Sequence, residues 1–136
     1  GPIDKEKLRS TGGEHEQVLD ILDSFFYDRR KWYAANLPND GVVTNLPPDV
    51  ILEVPAVATQ EGMVAPTLGE IPVPIASVLL RRIAAAEATV EAALTGNRKT
   101  MVEAMILDGG VSDYATAEKL TEALLKAQAE HLPQFG

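Results

Sequence analysis

His15, between Glu14 and Glu16, is the first place to look for chemistry in this chain, because flanking carboxylates raise an imidazole pKa and so tune a general base. Adjacent helical positions point in different directions, so the three side chains do not converge, and His15 is expected to be exposed in a first helical turn. His131, the other histidine, lies at the opposite end and is expected at a helix end, where the dipole favours it. A metal needs several ligands meeting at one point, and no spacing here supplies them. Ser10, Ser24, Ser77 and Ser112 carry no nucleophile-elbow motif and have no ready histidine–carboxylate pair. Gly12-Gly13 and Gly109-Gly110 lack the strand–Gly-x-Gly-x-x-Gly–helix setting that cradles phosphates. With no cysteine, disulfide and thiolate chemistry are also excluded. The sequence therefore assigns no catalytic, cofactor-binding or metal residue within the chain.

The polar residues of the segment Asn36 to Ala56 are harder to set aside. Asn36, Asn39 and Asn45 flank turns, where asparagine caps backbone groups or takes left-handed conformations. Glu53 interrupts an apolar strand, and alternation allows it to face solvent. The other reading makes Asn39, Asn45 and Glu53 part of a pocket or an interdomain surface. Phe25, Phe26, Arg29, Arg30, Trp32 and Tyr33 mix aromatic and basic types as a stacking surface does, but helical spacing and the acidic balance favour core and boundary packing.

The elements that must position these groups follow from periodicity. Val18, Ile21, Leu22, Phe25 and Phe26 form one helical stripe, predicting a helix from Glu14 to Phe26, with Thr11 and Glu14 spaced as a capping box. Lys31 to Leu37 reads as a strand closed by the turn Pro38-Asn39-Asp40-Gly41. Val50 to Thr59 reads as a second strand with Pro55 at an edge or bulge, and Met63 to Leu68 as a third, broken by Pro66. Short connections make the three an antiparallel meander. Beyond Pro72 and Pro74, the stripe Ile75, Val78, Leu79, Ile83, Ala86, Val90, Ala93 and Leu94 predicts the longest helix, stopped by Gly96. Asn97 caps a helix through Leu107 that Gly109-Gly110 stops; Ser112 caps the last helix, with Ala117, Leu120, Leu124 and Leu125 buried and Pro133 ending it. The fold class is α+β: a small antiparallel sheet of about three strands covered by helices.

Composition bounds the function. A chain of 136 residues with 46% hydrophobic content suits one packed core. The net charge of −8 opposes binding to nucleic acid or anionic membrane, and Arg29-Arg30-Lys31 is the only basic run. No apolar run reaches a membrane span, nothing reads as a signal peptide, and the lack of cysteine fits a cytoplasmic protein. Gly1-Pro2 reads as a protease scar, so 1–10 is expected to be lead-in and 11–136 a single domain.

Two blocks carry a resemblance. The first, Asn36 to Ala56, has the form Asn-[apolar]-Pro-Asn-x-Gly, x-Asn-Leu-Pro-x-Asp, [apolar]-Glu-Val-Pro-Ala; the second is Thr89 to Arg98, with Gly96-Asn97-Arg98. Together, from about Thr11 to Pro133, the chain resembles the C-terminal half of the family-4 glycoside hydrolases, which cleave glycosidic bonds with a nicotinamide cofactor and a divalent metal. The resemblance implies a domain similar to the C-terminal domain of lactate and malate dehydrogenases. It also implies an absent N-terminal nucleotide-binding domain that carries the dinucleotide fingerprint, the metal ligands and the proton-moving residues. For the intact parent it implies NAD, a divalent metal such as manganese, and oxidation at sugar C3, C2 deprotonation, aglycone elimination, hydration and hydride return. Paired-carboxylate hydrolysis does not cover such enzymes. This domain would give one pocket wall, the docking surface and subunit contacts, with Asn39, Asn45 and Glu53 on the interdomain surface or sugar pocket. Asp108-Gly109-Gly110-Val111 departs from the family's Asp-Pro-Leu, and Asn97 replaces its more common Asp.

Two readings compete: a C-terminal glycosidase domain, inactive alone, and a stand-alone binding or oligomerisation module that uses the old interdomain face. Either way, exposed apolar interface predicts a homo-oligomer.

Overall fold

A computed structural model describes residues 14–136, with side chains from residue 17 onward. Thr11 of the expected capping box, the 1–10 lead-in and the side chain of His15 lie outside the described residues. The chain divides into two compact units, one ending at Glu70 and the other spanning Ile71–Gly136.

The first unit opens with helix α1, Glu14–Tyr27. Of its apolar stripe, Ile21 and Phe25 are half-buried while Val18, Leu22 and Phe26 stay exposed, and Ser24 is fully buried. Asp28 and Arg30 both take positive φ, reversing the chain into β1, Trp32–Pro38. Strands β2, Ile51–Thr59, and β3, Gly62–Val64, complete a three-stranded antiparallel sheet in the order β1-β2-β3, the expected α+β meander.

Pro55 lies within the central strand, opposite Ala34, rather than at a sheet edge. The geometry still spares it. Ala58 donates its N–H to Lys31 next to β1, so by alternation position 55 points its missing N–H away from β1. β3 ends where Val64 pairs with Val57, and no ladder bond is lost at position 55. The third strand stops at Val64 instead of Leu68, because Pro66 follows and the chain turns to bond Leu68 N–H to the Val42 carbonyl.

The second unit is helical: α2 Val73–Thr95, α3 Arg98–Asp108, α4 Tyr114–Ala127 and a 3-10 turn Pro133–Phe135. Asn97 caps α3 as expected, its Oδ1 accepting from Lys99 and Thr100 N–H. Three expectations change. α2 buries small residues, Ala76, Ala85 and Ala92, and leaves Ile75, Val78, Val90 and Leu94 outward; at Ala85 and Ala92 the close approach of α3 requires small side chains. α4 is capped by Asp113, whose carboxylate reaches Thr116 N–H, not by Ser112, and buries Thr121 with Ala117 and Leu125 while Leu120 and Leu124 are exposed. It ends at Ala127, and Pro133 starts the 3-10 turn that seats Phe135 against Ala92 and Leu125. His131 thus lies beyond the helix, paired to Glu130 on the surface.

The second sequence block explains this last contact. Gly96 sits at φ 69°, and a Cβ there would fall 1.8 Å from the Gln134 carbonyl oxygen. Arg98 donates to the Phe135 carbonyl at 2.6 Å and forks onto both Glu122 oxygens. The motif therefore clamps the C-terminal turn onto α2 and α4.

Candidate functional site

The first block builds a loop between β1 and β2 around one side chain. Asp40 and Gly41 take successive positive φ angles, which turns the chain sharply after β1. Asn39 is 1% exposed. Its Nδ2 donates to the carbonyls of Val43 (2.9 Å), Leu46 (3.1 Å) and Pro47 (2.9 Å), and its Oδ1 accepts from Val43 N–H (2.7 Å). Both Nδ2 hydrogens are engaged, one shared between two carbonyls, and so is Oδ1. Val42, Val43, Leu46 and Val50 are buried around it. Bonds from Thr44 N–H to Gly69 and from Leu68 N–H to Val42 tie the loop to the segment after β3. Asn39 thus acts by shaping the loop.

Asn45 is half-buried in the same loop, between the Val43 and Leu46 carbonyls that Asn39 holds. Glu53 stands apart, exposed on β2 and directly opposite Asn36 on β1. Of the three candidates, the structure brings Asn39 and Asn45 into one loop and puts Glu53 on the adjoining sheet face.

That face is apolar around its polar pair. Register and alternation put Trp32, Ala34, Asn36 and Pro38 of β1 on one side with Ile51, Glu53, Pro55 and Val57 of β2. Trp32 and Ile51 are each 60% exposed. Trp32 separates two shallow hollows, one of 440 Å³ beside Glu53 and Pro55, the other of 430 Å³ beside Arg30, Gln60 and Val64. Large exposed apolar side chains of this kind mark a surface built to be covered.

The opposite side of the sheet carries a group that sequence reasoning missed. Tyr33 donates to Asp20 Oδ2 at 2.7 Å and shares a hydrogen bond with buried Ser24, and Lys31 donates to Asp20 Oδ1. Hydrogen bonds from Lys31 and Tyr33 hold the Asp20 carboxyl below the usual range. Asp20 in turn raises the Lys31 ammonium, and burial, first of all, raises the Tyr33 hydroxyl. Both Asp20 oxygens are occupied, so the cluster pins α1 to β1. Its hydrogen-bonded partners lie 9 to 13 residues apart, and no local spacing signals the cluster.

In the helical unit, a groove of 680 Å³ lies among Ala86, Thr89, Ala93, Met105 and Leu120, with Arg82 and Asp108 at its margin. Among the described residues, no three His, Asp or Glu side chains are grouped to hold a metal. The described part of the chain does not by itself fit a divalent cation. No Gly-x-Gly-x-x-Gly cradle stands anywhere in the sequence to hold a dinucleotide.

Comparisons with known proteins place this scaffold. The chain is 26% identical over 135 residues to the Bacillus subtilis (strain 168) protein named Probable 6-phospho-beta-glucosidase, covering 98% of this chain and 30% of that protein. Its fold matches a 6-phospho-alpha-glucosidase from gut microorganisms in complex with NAD and glucose-6-phosphate, with a TM-score of 0.84, 23% identity, and coverage of 98% and 30% of the two chains. It also matches the 6-phospho-beta glucosidase of Thermotoga maritima with manganese, NAD+ and glucose-6-phosphate, at a TM-score of 0.76, 23% identity, and coverage of 85% and 28%. The chain thus spans about 30% of the length of the first relatives it matches. A model described as the family 4 glycosyl hydrolase C-terminal domain matches residues 3–111, and the chain belongs to that family.

Proposed function

We propose that this chain is the substrate-side and subunit-contact domain of an NAD- and divalent-metal-dependent glycosidase, inactive without the upstream nucleotide-binding half. The observation that carries this reading is the family match over residues 3–111 in a chain spanning 30% of its relatives' length. In the intact cytoplasmic enzyme the glycosidic bond is broken by redox-elimination, and NAD and a metal such as manganese are held by upstream residues. The part played here is mechanical. The exposed face around Trp32, Asn36, Ile51 and Glu53 docks the upstream half, and the loop fixed by Asn39 presents Asn45 to the shared boundary.

Calorimetry of the chain with NAD tests the division of labour: no heat of binding is expected, and micromolar binding would overturn it. The parent reading frame supplies the second check. A strand–Gly-x-Gly-x-x-Gly–helix unit upstream is expected, and an initiation codon just before Ile3 would instead make this a stand-alone module.

A further inference from the structure

We propose that the β3 end of the sheet's outward face is a carbohydrate-binding site, in which a neutral pyranose ring stacks on Trp32 beside Val57 and Val64 while Arg30, Gln60 and Glu61 meet its hydroxyls. The strand register builds the floor. Trp32 pairs with Val57 and Val57 with Val64, so the three side chains form one row across the sheet, about 10 Å wide at the usual strand spacing. Trp32 is 60% and Val64 52% exposed, and the hollow of 430 Å³ over them has the size of a small-molecule site. Its polar groups stand on braced backbone. Arg30 Nε donates to Asp28 Oδ2 at 2.9 Å, and Arg30 and Asp28 keep positive φ angles of 56° and 50°, which non-glycine residues rarely adopt. At the hairpin tip, Thr59 Oγ1 donates to the Gly62 carbonyl at 3.0 Å and accepts from Glu61 N–H at 3.2 Å, fixing the turn that carries Gln60 and Glu61.

The composition of the hollow selects the ligand. An indole face beside valines takes up the apolar C–H face of a sugar ring, and planar carboxylate, amide and guanidinium groups pair with its hydroxyls. Arg30 is neutralised by Asp28, and Glu61 adds a further negative charge, so a phosphate or another anion is opposed. A purely apolar ligand is opposed as well, because it would strip water from charged groups without replacing their hydrogen bonds. A ring with one apolar face and a hydroxyl edge satisfies both halves. The site goes beyond the docking reading. Asn36, Glu53 and Ile51 run toward the far end of the strands, where Pro38 pairs with Ile51, and Trp32 borders the Glu53 hollow on one side and this hollow on the other.

Trp32 is the sole tryptophan, so its fluorescence reads the site directly in the full chain. Titration with maltose should give a saturable change with half-saturation on the order of 1–10 mM, as a shallow hollow open to solvent gives. Sorbitol, rich in hydroxyls but without a ring face, should give none. Gln60→Ala with Glu61→Ala should weaken maltose binding by about tenfold, the loss of two hydrogen bonds, and leave the melting temperature within about 3 °C because both side chains are exposed. Glu53→Ala should bind maltose as the parent does, which separates this hollow from its neighbour. No saturation up to about 100 mM overturns the proposal. So does an equal response to sorbitol, unchanged affinity in the double variant, or loss of binding in Glu53→Ala. These readouts use the chain alone and need neither NAD nor the upstream half. Their failure therefore leaves the glycosidase reading standing, whereas NAD bound in calorimetry would overturn that reading and leave this site in place.

Discussion

Asn39→Ala is the sharpest test of how the first sequence block works. The substitution removes four hydrogen bonds from a side chain that is 1% exposed. The Val43 N–H is left without its acceptor inside the loop, a loss of about 1–3 kcal/mol, and three carbonyls each forfeit a donor, adding a smaller amount apiece. The sum is about 3–5 kcal/mol, a large part of the usual stability of a domain. For a chain of this length that lowers the melting temperature by roughly 10–20 °C. Urea unfolding followed by circular dichroism gives the global value, and hydrogen exchange at the Val43 amide gives the local one. Asn39→Asp separates hydrogen bonding from volume. It keeps an acceptor for Val43 but turns an oxygen toward three carbonyls, so it should be as damaging at neutral pH and recover partly in acid. If Asn39→Ala stays within about 0.5 kcal/mol of the parent, the level of an ordinary surface change, with Val43 still protected, the reasoning fails.

Gly96→Ala should lower stability by about 2–4 kcal/mol, since a left-handed non-glycine residue adds strain and the new methyl displaces the turn that buries Phe135; a melting temperature within about 1 °C of the parent would refute this. Asp20 has a folded pKa below its unfolded value, so its contribution is present above about pH 4 and is lost as pH falls through the lower folded value. Asp20→Asn should therefore flatten the acid limb of a stability–pH curve, and an unchanged slope below about pH 4 would count against the cluster. Trp32→Ala and Glu53→Ala touch an exposed face and should leave this chain's melting within about 0.5 kcal/mol of the parent, while destabilising the intact parent by more than about 1 kcal/mol where Trp32 is covered. Equal effects in both settings would remove the docking assignment.

Local pieces of the fold are legible in the chain's own order of residues. Gly96 and Asn97 end one helix and cap the next because both act within one turn of chain, and the meander follows from strand period and turn residues. The family was legible in the same way, since its two blocks are runs of contiguous residues with fixed spacing. Tertiary structure decided which faces are buried. Periodicity marks the apolar stripe of α2, yet close packing on α3 selects the alanines and leaves the larger residues outward. It also decided that Asn39 closes its own loop while Glu53 faces outward beside Asn36, and that Asp20, Lys31, Tyr33 and Ser24 meet. The Asp20 cluster joins partners 9 to 13 residues apart in the chain, and the loop around Asn39 is selected by packing among several conformations its turn residues allow, so a linear pattern carries no record of either.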